Sequence, residues 1–151
     1  MKVFVLISAI IEQLAGAVFF LAPQLVPGLA EGPEGYLAMG RMYGAIALGL
    51  GVFALQVWRN ADQPLLLKIF LSSYLVFHLC VCIAFAGAFM TGVFPDPSAA
   101  ILHLTMAIIT TYFFFKHNLA ESPMTRKVLI GAGIVIGMLA ILFAQLPQLL
   151  A

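Results

Sequence analysis

The sequence predicts an all-α, polytopic membrane protein, an antiparallel bundle of about five transmembrane helices. Three observations predict it. Of 151 residues, 64% are hydrophobic and 9% charged, where an ordinary soluble domain carries about 25% charged residues. The mean hydropathy is +1.12, which leaves more apolar surface than a small soluble core can hide. The apolar residues also gather into stretches of about 20, the length that crosses a hydrocarbon core, and proline- and glycine-rich segments divide them. Residues 1–151 therefore read as one transmembrane helical domain.

The first span covers about Val3–Leu21 and is apolar except for Glu12 and Gln13 near its middle. Lys2 and the "AGA" at Ala15–Ala17 resemble a cleavable leader. The apolar run continues through "VFFLA", however, and Glu12 interrupts it, so the segment reads as a retained helix. "APQLVPGLAEGPEG" (Ala22–Gly35) breaks the chain before a second span at about Leu37–Trp58. "RNADQP" (Arg59–Pro64) precedes a third at about Leu65–Thr91, and "GVFPDP" (Gly92–Pro97) a fourth at about Ser98–Phe115. "NLAESP" (Asn118–Pro123) precedes a fifth at about Val128–Leu146. Proline suits these places because it lacks the N–H that a helix start leaves unbonded anyway.

The loop charges give the orientation. With the N-terminus inside, Lys2, Arg59, Lys68, Lys116, Arg126 and Lys127 fall on the inner side. Glu31, Glu34 and Asp96 fall outside with Arg41. That satisfies the positive-inside rule and places the C-terminus outside. "YFFF" (Tyr112–Phe115) before "KHN" reads as an interfacial aromatic belt with a basic anchor.

Small residues set the expected packing, since membrane helices associate where their backbones approach closely. Gly40, Gly44, Ala47, Gly51 and Ala54 form one stripe of the second span, and Gly133, Gly137, Ala140 and Ala144 one of the fifth. On the first, Ser8, Glu12 and Gly16 share a face, so Glu12 points at the bundle.

Four ionisable residues within the spans form the candidate polar site: Glu12, Arg41, His78 and His103. Burial in a bilayer costs such groups about 2.5–3.5 kcal/mol, so they face partners or water. Counting from the outer helix ends at about 1.5 Å per residue puts Glu12 about 14 Å deep and Arg41 about 6 Å. The same count puts His103 about 7–8 Å deep and His78 about 20 Å. Arg41 is the expected partner of Glu12, holding helix register or lining a cavity; the alternative is that it reaches outward to headgroups. His78 shares a face with Tyr74 and Cys82, and His103 with Ala99, Ala107 and Thr110.

Several chemistries are disfavoured. A net charge of +1 gives no basic surface for nucleic acid. Cys80 and Cys82 stand two apart and do not face each other on a helix, so neither a disulfide nor a metal pair is expected. No ligand spacing supports a metal site, and a depth difference of about 12 Å between the histidines disfavours a shared haem. No catalytic residues and no cofactor are assigned.

"GRMYGAIALGLG" (Gly40–Gly51) and "FLAPQ" (Phe20–Gln24) resemble the DoxX-like family of small bacterial inner-membrane proteins of unknown function. The resemblance covers about Met1–Asn118 and rests mainly on the first two helices. It implies a multi-pass protein of the bacterial inner membrane, an antiparallel bundle, and links to respiratory or redox systems in some relatives. It implies no catalytic residues. The fifth span and the two histidines depart from that pattern.

Three functions follow. The first is a non-catalytic accessory protein or a binder of a small apolar ligand, a lipid or quinone, with a membrane-protein partner or a homodimer as its assembly. The second is a small transporter or proton relay using Glu12, Arg41 and the histidines. The third is a membrane-embedded oxidoreductase or lipid-modifying enzyme.

Overall fold

A computed structural model describes residues 1–33, 35–90, 92 and 97–117, with scattered positions between 126 and 138. Its elements are α1 (Lys2–Leu21), a short 3-10 turn at Pro23–Leu25, α2 (Tyr36–Arg59), α3 (Pro64–Met90) and α4 (Ser98–Lys116). Each of the four helices is long and apolar enough to cross a membrane, which makes this a multi-pass membrane protein. The ends fall within one residue of the expected spans. The fifth expected span, Val128–Leu146, falls outside these helices and for the most part outside the described residues.

The termini follow local chemistry. Gly35 precedes α2 with φ +101°, a left-handed conformation in which a Cβ would be strained. Pro64 opens α3 and Pro97 precedes α4. Arg59 and Lys116 lie in the last turns of α2 and α4, where a cation complements the helix dipole.

The helices are inverted relative to a soluble fold. On α1, Val3, Ile7, Ile10, Leu14, Val18 and Leu21 are exposed, whereas Ser8, Ala9, Glu12 and Gly16 are buried. On α4, Ile101, Leu102, Ile108 and Phe115 are exposed, whereas Ala100, His103, Ala107 and Thr110 are buried. Lipid solvates the branched apolar chains, and the small and polar ones meet other helices. Hydroxyls that lie in the apolar spans bond their own helix: Ser8 Oγ donates to the Phe4 carbonyl at 2.9 Å and Thr110 Oγ1 to the Met106 carbonyl at 2.7 Å. That satisfies them without water.

The chain divides into two compact units, Met1–Phe70 and Leu71–Ala151. In the first, α1 and α2 pack antiparallel through the expected stripe, with Gly40, Gly44, Ala47, Gly51 and Ala54 all buried. Gly16 and Gly44 bring the backbones together. A Cβ on Gly16 would lie 2.7 Å from the Leu48 nitrogen. A Cβ on Gly44 would strike the Phe20 nitrogen and lie 2.8 Å from the Gly16 oxygen. Gln13 Nε2 donates to the Leu48 carbonyl at 3.4 Å. Phe70, at the start of α3, meets Phe53 edge to face with ring centroids 5.8 Å apart. In the second unit, α3 and α4 pack through Cys82, Ala86 and Ala100, flanked by Phe85 and Leu104.

Candidate functional site

The glycine contacts fix the register of α1 on α2, and the register decides the fate of Glu12. Gly40 lies against Phe19 and Pro23, at the end of α1, and Gly51 lies against Gln13. Arg41, beside Gly40, is therefore level with the end of α1, while Glu12, beside Gln13, is level with Gly51. Ten residues of helix, about 15 Å, separate them.

The expected Glu12–Arg41 pair does not form. Glu12 is 2% exposed, and Arg41 is exposed. The Tyr43 ring meets Phe19 edge to face at 4.7 Å. Arg41 is exposed on α2, level with the end of α1. Replacement by glutamine, Arg41→Gln, should leave the melting temperature in detergent nearly unchanged, a difference within about 0.5 kcal/mol. A loss several times larger would restore an internal role for the guanidinium.

The two histidines meet. Nδ1 of His78 and Nδ1 of His103 are 2.6 Å apart, with both side chains buried. At that distance one ring carries the Nδ1 proton and donates it to the other. Aromatic rings surround the pair. Tyr74 stands perpendicular to His78 with centroids 4.1 Å apart. Phe77 lies 5.2 Å from His78 and 6.0 Å from His103. Phe85 stacks parallel to His103 at 6.1 Å. Of the neighbours expected from helical spacing, Tyr74 and Cys82 on the face of His78 and Ala107 and Thr110 on that of His103 are fully buried, whereas Ala99 is half-buried.

This contact corrects the depth difference of about 12 Å expected from counting. The count assumed that α3 and α4 end level. The contact instead sets Ser98, five residues before His103, level with Ile83, five after His78. α3 then continues through Ala84–Met90, about 10 Å beyond the start of α4. The overhang accounts for nearly all of the discrepancy. The signal in the sequence was a mirrored spacing, small residues four after His78 (Cys82) and three before His103 (Ala100), which aligns the two histidines in an antiparallel pair.

The pair does not have the geometry of a metal clamp. A metal ion holds each imidazole nitrogen at about 2.0–2.1 Å, which forces two ligand nitrogens well past 2.6 Å apart. Among the described residues, no group of three or more His, Cys, Asp or Glu side chains could hold a metal ion. Cys80 is exposed and Cys82 buried, both as free thiols.

Of the four candidate residues, then, the fold brings His78 and His103 into contact and parts Glu12 from Arg41. Tyr43, Tyr74, Phe77 and Phe85 join these sites without having been singled out as site residues, except that Tyr74 was placed on the face of His78. Aromatic residues are too common in apolar helices to stand out by type. No family model, no curated protein and no solved structure matches the chain.

Proposed function

We propose that this is a small accessory or apolar-ligand-binding membrane protein, with a lipid or quinone as the ligand class. The carrying observation is that several polar side chains within the spans bond their own helix or the neighbouring one. Ser8 and Thr110 bond their own helices, Gln13 bonds across from α1 to α2, and His78 bonds across from α3 to α4. Such bonds fasten membrane helices. The bacterial inner membrane, the DoxX-like relationship and an inside N-terminus belong to this proposal, the last supported by Lys2, Arg59 and Lys116 at alternate helix ends. The test is to purify the protein in native-lipid discs and identify bound lipids and quinones by mass spectrometry. The expected result is a retained apolar ligand with no turnover and no ion flux. Robust turnover or flux by the purified protein alone would overturn the proposal.

One observation favours a second reading, a proton relay: the hydrogen-bonded imidazole pair within two membrane-crossing helices. Histidine and glutamate are frequent members of such relays. In reconstituted vesicles, pH-driven flux should then fall on His78→Asn, and on Glu12→Gln if the carboxylate takes part. Flux unchanged by both substitutions would remove these groups from any relay.

A further inference from the structure

We propose that His78 and His103 together form a proton-binding site of the membrane interior, one that takes up a single proton as a unit. It deepens the relay reading but requires only binding, not transport.

The argument starts from the two Nδ1 atoms. In the neutral pair one ring carries its proton on Nδ1 and the other on Nε2. The Nδ1 proton of the first lies on the line to Nδ1 of the second. An arriving proton, released as an O–H bond of a hydronium ion breaks to leave water, forms a new N–H bond at the bare Nε2 of the first ring. Both rings then carry Nε2–H, one proton remains between the two Nδ1 atoms, and the pair changes from neutral to +1 with no other bond made or broken. This cationic form suits the observed 2.6 Å contact. Charge-assisted hydrogen bonds are shorter than neutral ones, and neutral N–H bonds to acceptors cluster near about 2.9–3.0 Å. A second added proton has no place, because each Nδ1 would then present a hydrogen to the other at that distance.

The surroundings support one positive charge. Three aromatic rings, Tyr74, Phe77 and Phe85, have centroids 4.1–6.1 Å from the imidazoles; Phe85, parallel to His103, presents its face, the side of a ring that attracts cations. The other titratable groups nearby are few. On α3 they are the Tyr74 phenol and the Cys80 and Cys82 thiols, with Lys68 ten residues from His78, about 15 Å along the helix. On α4 Tyr112 and Lys116 stand nine and thirteen residues from His103, about 13 and 20 Å along the helix.

The test uses the full chain in lipid discs. With histidine nitrogens isotopically labelled, acidification should protonate the one bare Nε2, so that both Nε2 atoms carry hydrogen, and make the two Nδ1 resonances equivalent around one shared proton. Proton uptake by the His117→Asn chain, less that of the same chain with His78 and His103 both replaced by asparagine, should be one proton per chain, the subtraction removing the carboxylates. His78→Asn or His103→Asn should abolish it entirely rather than halve it. Two independent protonations would overturn the proposal, as would rings that stay unlike and neutral throughout the range in which the helices stay folded. The spectra of the unaltered chain decide the matter even if a variant fails to fold. Uptake without flux would leave the site standing and remove the relay reading.

Discussion

Gly44→Ala should destabilise the α1–α2 pair although it makes α2 a better helix. Alanine is favoured over glycine by about 1 kcal/mol within a helix. At Gly44, however, the new Cβ strikes the backbone nitrogen of Phe20 and comes within 2.8 Å of the Gly16 oxygen. These are backbone atoms, which cannot rotate aside as a side chain can, so α1 as a whole must retreat. Overpacking of this kind costs about 1–3 kcal/mol, and the net result is a loss. Gly44→Leu should exceed it, with little folded protein recovered. Gly49, in the same helix, supplies the control, since a Cβ there meets nothing within 4 Å. Gly49→Ala should be neutral or stabilising by up to about 1 kcal/mol. Thermal unfolding of the three variants in one detergent reads the difference. Equal behaviour at positions 44 and 49 would mean that the helices do not touch at Gly44.

His78→Leu should cost more than the double replacement of His78 and His103 by leucine. The single change leaves the Nδ1 of His103 facing an apolar side chain, and an abandoned buried polar group costs about 1–3 kcal/mol. Replacing both partners removes the polar groups together, which is nearly neutral when shapes are kept. A double-mutant cycle should therefore show a coupling within the range for contacting residues, about 0.5–3 kcal/mol. Additive losses from the two single changes would show that the imidazoles do not bond each other.

The helices were legible because hydropathy and proline act locally: a stretch long enough to span and a residue that cannot continue a helix mark its ends without reference to the rest of the fold. The packing stripe of α2 was legible for the same reason, since Gly40, Gly44, Ala47, Gly51 and Ala54 need only the helical period to share a face. The partners of the polar residues were not, because they depend on how far one helix slides along the next. Glycine contacts at Gly16, Gly44 and Gly51 fix that slide for α1 on α2 and leave Arg41 beyond the reach of Glu12. The meeting of His78 and His103 depends on a similar offset between α3 and α4, which counting inward from helix ends assumed to be zero.

That offset has a consequence for the lipid. α3 has 27 residues and α4 has 19, about 40 Å and 28 Å of helix, against a hydrocarbon slab of about 30 Å. α4 matches such a slab. Because the histidine contact sets the start of α4 level with Ile83 of α3, the apolar turns at Ala84–Met90 stand past the start of α4 wherever the slab ends. A thin leaflet would leave Phe89 and Met90 among the headgroups, and a thick one would cover them. Hydrophobic mismatch costs fractions of a kcal/mol per Å, so with an overhang of about 10 Å the stability of the protein should vary with the thickness of the bilayer around it.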